Sequence, residues 1–311
     1  MSSYKKAYSI KKYEGLNCYY ACVLNQVAYI RGSVDLAFAS AYHLAYRPEM
    51  GRMLGDRITC EPIHLMRNIR DIYRISFTRE NGWRPDEWGK QPVILELSSY
   101  HCAWLKEYHK VDRPHFIIFL GLSEGYILFA DPSVSTDALR EDVGKIEAAF
   151  RSLHKETNCL YDERNIHRDE LLCRSIAYVN TYDFSRQLTA IQEHIQRMSD
   201  WKEEFSRMTI SPFSSVLNVN LHMIAVSRLL YSLFIKDAGS VLVSYPRILQ
   251  TVSMLQHESD QWDIFRMMMY RSFVYGDYAD KKIKILEQLE IIKDAGKGCV
   301  AAINELLQCL V

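Results

Sequence analysis

The chain has 311 residues, which is long enough to bury a large core as one large domain or two modest ones. Its 38 Lys and Arg residues balance 38 Asp and Glu residues, so nothing in the charge indicates a nucleic-acid backbone or an anionic membrane as partner. Hydrophobic residues make up 48% of the chain and aromatic residues 12%, which is typical of an ordered globular protein and excludes an intrinsically disordered one.

The sequence predicts a cytoplasmic protein. Its basic start, MSSYKKAYSIKKY, lacks the continuous apolar stretch of a signal peptide. The most apolar later stretch, 216–235, carries four polar side chains that are costly in hydrocarbon: Asn218, Asn220, His222 and Arg228. The eight cysteines are scattered without CxxC pairs, so we expect reduced thiols and neither a zinc ribbon nor a disulfide scaffold.

Residues 1–132 have the pattern of a mixed α/β region. Apolar spacing predicts a helix over 16–30 that ends at Gly32, a second helix over 34–46 and a third over 62–73. The period then changes, and three short branched or aromatic runs, PVILEL, HFIIFLGL and GYILFAD, predict strands over 92–97, 115–122 and 125–131. The short link between the last two predicts a hairpin.

After Pro132 the strand signals become sparse. We expect one more strand over 176–182 and an amphipathic, solvated helix over 137–157. Helical spacing recurs over 186–206, 279–293 and 299–310, with Gly296 and Gly298 between the last two segments. The sequence therefore predicts an α+β domain over 1–185 and an all-helical domain over 186–311.

Cys18 is the candidate nucleophile. It follows Gly15-Leu16-Asn17 at the predicted start of a helix, where unpaired N–H groups and the macrodipole favour a thiolate. Taken alone, a cysteine at a helix start is more often structural than catalytic. Cys22, one turn further along the same face, is expected to pack in the core.

A thiol nucleophile needs a base, and the base needs a group that orients it. His115 opens an apolar strand where a polar side chain is otherwise out of place, and Asp131 closes the next strand of the predicted hairpin. In an antiparallel hairpin the start of one strand lies near the end of the next, so we expect the two side chains to meet. A structural hydrogen bond that caps the hairpin is the alternative. His101, His109 and Cys102 are the rival base and nucleophile candidates, but none has this placement.

The segments GLNCYYACVLNQVAYIRG and PHFIIFLGLSEGYILFADPS, with VILELSSYHCAW between them, resemble the C39-peptidase-like branch of papain folds. The closer resemblance is to the butirosin biosynthesis protein H family, and it covers about 13–132. It implies a papain-like cysteine-protease fold with an antiparallel sheet, followed by a helical C-terminal region. Members of this family take an acyl group from a carrier-protein thioester and pass it to an amine in antibiotic and peptide biosynthesis.

By this resemblance Cys18 would be the nucleophile, His115 the general base and then acid, and Asp131 the group that orients the imidazole. The partners would be an acyl or peptidyl carrier protein and a small-molecule amine, and no cofactor or metal would be needed. The predicted helix over 137–157 offers Arg140, Lys145 and Arg151 to an acidic carrier protein, but ordinary surface charge is the better explanation of these residues. One departure is the residue before the cysteine, which is Asn17 instead of His; it is a candidate oxyanion donor or the helix N-cap.

Three aromatic residues, Tyr19, Tyr100 and Trp104, are candidates for a substrate pocket, with ordinary core packing as the alternative. Two other functions stay open at this stage. A cysteine peptidase or thioesterase would use the same triad with water as acceptor, and a non-catalytic binding protein could keep the same fold.

Overall fold

The computed structural model describes residues 8–13, 15–59, 64–88, 92–158, 167–206, 214–240 and 244–308. In chain order the α-helices are α1 Cys18–Arg31, α2 Leu54–Arg57, α3 Leu65–Tyr73, α4 Val143–Ala149, α5 Arg168–Asn180, α6 Phe184–Arg197, α7 Lys202–Ser206, α8 Val216–Gly239, α9 Tyr245–Tyr275 and α10 Tyr278–Leu307. The strands are β1 Ala45–Tyr46, β2 Ile58–Thr59, β3 Ile75–Glu80, β4 Val93–Ser98, β5 Pro114–Ser123, β6 Tyr126–Ala130, β7 Leu139–Asp142 and β8 Phe150–Asn158. Two 3₁₀ turns cover Asp35–Phe38 and Ser99–His101.

The architecture is mixed α and β, with antiparallel sheets and a helical C-terminal region, as the sequence predicted at this level. The chain divides into two compact units: one comprises Met1–Val34 and Ile69–Tyr161, the other Asp35–Asn68 and Asp162–Val311. This division differs from the predicted domains 1–185 and 186–311. The segment 35–68, which interrupts the first unit as an insertion, belongs to the helical second unit. Helix α5 belongs to the second unit as well.

The first unit is built on a six-stranded antiparallel sheet of order β3-β8-β4-β5-β6-β7, with α1 against β5 and β4. The predicted strands correspond to β4, β5 and β6, and the predicted hairpin forms with a register shift between Phe119 and Gly121. Every residue of β4 is buried, as expected for a central strand covered on both faces. Its Val93, Leu95 and Leu97 side chains pack into one hydrophobic cluster with residues of β5, β6 and α4.

The second unit holds a buried ion pair at its centre. Arg228 of α8 donates from Nε to Oε1 of Glu258 of α9 at 2.8 Å, and both side chains are fully buried. Tyr42 donates its hydroxyl to Oε2 of Glu258 at 2.9 Å, and Arg228 also donates to the His43 carbonyl at 2.8 Å. A buried charge must find partners inside the protein, and two of these partners come from the 35–68 insertion. The insertion therefore belongs to the core of the helical unit.

Several predicted elements are wrong in type. The segment 34–46 forms only the short 3₁₀ turn and β1, and the segment 137–157 forms β7, α4 and most of β8 in place of one helix. The segment 176–182, predicted as a strand, lies mostly in α5, where Leu172, Ile176 and Val179 are buried at helical spacing. The predicted start of the third helix falls partly on residues outside the described ranges, and its described part is α3.

The two predicted C-terminal helices are one continuous helix, α10, which passes through Gly296 and Gly298. Gly296 is required because a Cβ there would overlap the ring of Phe184, which packs against the helix. The glycines therefore do not break the helix but make room for a neighbour. Of the described helices, α8 is long and apolar enough to cross a membrane, yet 61% of its most apolar window is buried, as in the core helix of a soluble protein.

We expect Gly296→Ala to destabilise the second unit by about 1–3 kcal/mol, because overpacking a well-filled core displaces side chains. Gly298→Ala is the matched control on the same helix: its Cβ would meet the flexible end of Met254 at 2.9 Å, and alanine favours a helix. Urea denaturation followed by circular dichroism measures both changes. Equal effects of the two substitutions would contradict the role given to Gly296.

Candidate active site

Cys18 is the first residue of α1, and the local sequence explains why the helix begins there. Asn17 has extended backbone geometry, and its side-chain Oδ1 accepts a hydrogen bond from the Tyr20 N–H at 2.8 Å. This is the N-cap role, one of the two roles predicted for Asn17. The cap places Cys18 in the first turn, where the helix presents unpaired N–H groups.

Cys22 fixes this helix against the sheet. Its Sγ donates to the carbonyl oxygen of Phe116 on β5 at 3.3 Å, the side chain is fully buried, and burial raises the pKa of its thiol. Cys22 is therefore a core cysteine, as predicted. Since Phe116 directly follows His115, the same contact sets the position of Cys18 relative to His115.

His115 and Asp131 meet at the end of the hairpin. His115 Nε2 lies 2.6 Å from Asp131 Oδ2, with His115 7% exposed and Asp131 fully buried. The two residues are not directly opposite each other in the strand pairing. Ala130 pairs with Ile118, so the Asp131 side chain contacts His115 from a position further along β5. The contact predicted from the sequence therefore forms through the side chains, at the same end of the sheet.

The third member of the group is Cys18, whose side chain also interacts with His115. Burial lowers the pKa of His115, but hydrogen bonds to Asp131 and Cys18 and the charges of both outweigh it and raise the pKa to about 9. Because Nε2 is engaged by Asp131, Nδ1 is the nitrogen left for the thiol. The structure thus brings Cys18, His115 and Asp131 together in a nucleophile–base–orienter order.

The sequence did not predict how Asp131 is held. Burial raises its pKa, but hydrogen bonds from His115, Ser133 and Trp104 outweigh burial and lower the pKa. Ser133 donates its hydroxyl to Oδ1 at 2.5 Å and its backbone N–H at 3.2 Å, while Trp104 donates its indole N–H to Oδ2 at 2.9 Å. A carboxylate two residues before a serine is a turn signal that would have suggested Ser133; no sequence signal pointed to the indole contact.

The three aromatic candidates have different surroundings. Trp104, predicted to line a substrate pocket, is half-buried beside Phe129 and positions Asp131. The Tyr19 ring packs against Phe116 and His154, at centroid distances of 4.9 and 5.2 Å, next to the nucleophile candidate. Tyr100 is 39% exposed, and its described ring contacts are with His101 and His109.

The rival nucleophile, Cys102, is unsuited to attack. Its side chain is fully buried, its Sγ donates to the Ser98 carbonyl at 3.3 Å, and burial raises the pKa of its thiol to about 12. A thiol with so high a pKa is protonated at neutral pH and is a poor nucleophile. Of the cysteines that the structure describes, Cys18 is the one whose side chain contacts a histidine that in turn contacts a carboxylate.

Two backbone N–H groups next to the thiol are available to a developing oxyanion. The first intrahelical bonds of α1 begin with the Ala21 N–H, and the Asn17 side chain uses the Tyr20 N–H. The N–H groups of Cys18 and Tyr19 have no acceptor within the described residues. The Asn17 amide can still donate from Nδ2 while Oδ1 serves as the cap, so the two roles predicted for Asn17 are compatible. Within the described part of the chain, no cluster of His, Cys, Asp or Glu could hold a metal ion.

The raised pKa of His115 makes stability depend on pH. A histidine whose folded-state pKa is about 9, against an ordinary 6.5, stabilises the folded state fully below pH 6.5, and the effect is lost as the pH rises through 9. We expect the wild type to lose about 3 kcal/mol of unfolding free energy relative to His115→Gln between pH 6 and pH 10. Urea denaturation of both proteins across that range measures it. A difference that does not vary with pH would contradict the assignment.

Trp104→Phe tests the indole contact, because phenylalanine keeps the ring but removes the N–H donor. With one donor fewer, the Asp131 carboxylate accepts more strongly from the donors that remain, so we expect the pKa of His115 to rise in an NMR titration of its ring protons. The loss of a hydrogen bond to a charged group, worth about 1.5–3 kcal/mol, also predicts a reaction rate at Cys18 that is lower by roughly tenfold or more. Trp83→Phe is the control, since the described contacts of Trp83 are ring packing only. An unchanged titration of His115 in Trp104→Phe would refute the positioning role.

No protein-family model matches the sequence, and the search of curated proteins finds no match either. The resemblance of 13–32 and 114–133 to papain-like acyltransferases therefore stays a prediction. What the chain does has to be argued from the geometry of Cys18, His115 and Asp131.

Proposed function

We propose that this protein is a cysteine acyltransferase with a papain-like fold in its first unit. The observation that carries the proposal is the series of contacts from the Cys18 thiol through His115 to the buried Asp131 carboxylate. The thiol stands at a helix start, and the imidazole and the carboxylate stand at the end of an antiparallel hairpin. Nucleophilic acyl transfer requires these three groups in this order.

In the first half-reaction the Cys18 thiolate attacks the carbonyl carbon of an acyl thioester. The oxygen takes up negative charge and is stabilised by the N–H groups of Cys18 and Tyr19 at the start of α1. When the carbon–sulfur bond of the donor breaks, the leaving thiolate receives the proton of the His115 imidazolium. An acyl-Cys18 thioester, a free donor thiol and a neutral His115 result.

In the second half-reaction an amine attacks the acyl-Cys18 carbonyl. His115 takes the proton that the amine loses, and Asp131 stabilises the imidazolium that forms. Collapse of the tetrahedral intermediate releases the amide and restores the Cys18 thiolate beside the imidazolium. A thioester carries enough free energy to form an amide, so no ATP-dependent step is needed.

The donor that the family resemblance implies is a phosphopantetheinyl thioester on a carrier protein, and the acceptor is a small-molecule amine in peptide or antibiotic biosynthesis. The helix proposed to receive a carrier protein over 137–157 is not formed as such, so a carrier surface there has no support. We also propose that the protein works in the cytoplasm, where its free thiols stay reduced.

Hydrolysis is the second candidate, and it is favoured by the same contacts. A cysteine peptidase or thioesterase would use Cys18, His115 and Asp131 identically, with water in the second half-reaction. The two functions differ only in how the acyl-enzyme partitions between an amine and water. The same assay can therefore decide between them.

Incubation with a short acyl thioester of N-acetylcysteamine is expected to add one acyl mass to the protein, detected by intact-mass spectrometry and peptide mapping at Cys18. Cys18→Ala should abolish the adduct, whereas Cys102→Ala, which removes the buried rival thiol, should keep it. Faster release by added amines than by water supports acyl transfer, and release at the same rate supports hydrolysis. An adduct that persists in Cys18→Ala would refute both.

A further inference from the structure

The loop 99–113 joins β4 to β5 at the end of the sheet where His115 lies. Ser98, the last residue of β4, pairs with Pro114, the first residue of β5, and His115 follows immediately. From inside this loop Trp104 donates to Asp131. The loop is therefore attached directly to the proposed acyl-transfer site.

The loop has a defined structure. Backbone hydrogen bonds join Ser99 N–H to the Arg113 carbonyl at 2.9 Å and His109 N–H to the Tyr100 carbonyl at 3.0 Å. His109 has a φ of 55°, a left-handed conformation that is uncommon outside glycine and costs energy. Such backbone strain persists where the surroundings enforce it, and it is concentrated at ligand-binding positions.

The loop displays aromatic rings to solvent. Tyr108 stacks on His109 with a centroid distance of 3.9 Å, and Tyr100 lies against the same imidazole at 5.1 Å. Tyr100 and Tyr108 are 39% and 38% exposed, although aromatic rings are usually buried. A fixed, exposed set of rings beside a reaction centre is typical of a stacking surface for a planar ligand.

The loop 99–113 carries three cations, Lys106, Lys110 and Arg113, against the two carboxylates of Glu107 and Asp112, so its formal charge is positive. Lys106 and Lys110 are exposed, and neither pairs with a carboxylate in the part of the chain that the structure describes. The nearby carboxylate of Asp112 is occupied, since it accepts hydrogen bonds from Arg151 and Ser98. Lys145 of α4 adds no free charge here, because its ammonium group is paired with Glu141 at 3.0 Å. This surface repels a cationic amine and attracts an anion, so it suits the acyl donor and not the acceptor.

We propose that the 99–113 loop binds the nucleotide end of an acyl-coenzyme A donor. The adenine ring stacks on the exposed face of Tyr108, whose ring is itself held by stacking on His109, and the phosphates contact Lys106 and Lys110. The pantetheine arm then extends toward Cys18, with the acyl group at its end. This proposal rests on the acyl-transfer function and identifies the donor. A carrier protein bears the same pantetheine arm but has no purine, so a carrier donor would leave the exposed rings without a role.

The test is titration calorimetry with Cys18→Ala protein, so that binding is measured without reaction. Coenzyme A is compared with pantetheine, which lacks the phosphates and the adenosine. We expect coenzyme A to bind at least tenfold more tightly and to weaken as the salt concentration rises. Tyr108→Ala and the double change Lys106→Ala with Lys110→Ala should each lower the affinity for coenzyme A by tenfold or more, and neither should change the affinity for pantetheine.

Two matched controls separate the loop from the rest of the surface. Tyr126→Ala removes a tyrosine that is 40% exposed on β6, and Lys155→Ala removes an exposed lysine on β8. Both should leave coenzyme A binding unchanged. Should Tyr108→Ala fail to fold, as judged by circular dichroism, the lysine pair alone tests the proposal, because both side chains extend into solvent.

Equal affinities for coenzyme A and pantetheine, or equal losses in loop and control variants, would overturn the proposal. Acylation of Cys18 by a carrier-bound thioester, with no binding of coenzyme A, would overturn it and leave the acyl-transfer function standing. Loop-dependent binding of coenzyme A, with no thioester ever acylating Cys18, would support the binding site and refute the acyl-transfer function.

Discussion

The buried carboxylate of Asp131 is the group on which the candidate site depends. It is removed from water completely, and a buried charge of this kind is tolerated only when donors surround it. Four hydrogen bonds do so: one from His115, one from Trp104 and two from Ser133. Three segments of the chain, the 99–113 loop, the start of β5 and the turn after β6, therefore converge on one side chain. The direction in which the His115 ring points is set by that convergence.

Cys18, the candidate nucleophile, is placed by a separate set of contacts. Asn17 fixes where α1 begins, and the buried Cys22 one turn later fixes where the helix lies against β5. Because Phe116 receives the Cys22 contact and is adjacent to His115, the helix and the hairpin share one point of reference. Two cysteines four residues apart thus have different surroundings: Cys22 is a core residue, and Cys18 is the candidate nucleophile. The difference in burial agrees with the distinction that their positions in the sequence predicted.

The site was more predictable from the sequence than the division of the chain. His115 and Asp131 are polar residues at the ends of apolar strands, which is an unusual pattern that can be recognised in the sequence. Because a short link joins the two strands in a hairpin, their side chains are expected to lie close together. The hydrogen bond from Trp104 to Asp131 and the place of the 35–68 insertion were missed, because both depend on long-range contacts. The indole of Trp104 reaches a carboxylate 27 positions away, and Tyr42 reaches Glu258 across 216 positions. Hydrophobic periodicity also failed as a predictor over 137–157, because hydrogen bonds to neighbouring strands override the helical spacing there. It failed again at Gly296, where the helix continues because the glycine leaves room for the ring of Phe184.

The pKa of His115 would give the two half-reactions of the proposed acyl transfer a physical link. Two of the causes that raise it to about 9 are the hydrogen bond and the charge of Cys18, and the other two come from Asp131. When the sulfur becomes part of an acyl thioester, it can no longer carry a negative charge, so the contributions of Cys18 disappear while burial continues to lower the pKa. The pKa of the imidazole is then lower at the stage when it must be neutral to accept a proton from the amine. In the proposed reaction, release of the amide would restore the contributions of Cys18, and the pKa of His115 would rise again. A fixed arrangement of three side chains can in this way supply an acid to the donor thiol and a base to the amine, with acylation of Cys18 as the event that switches between them.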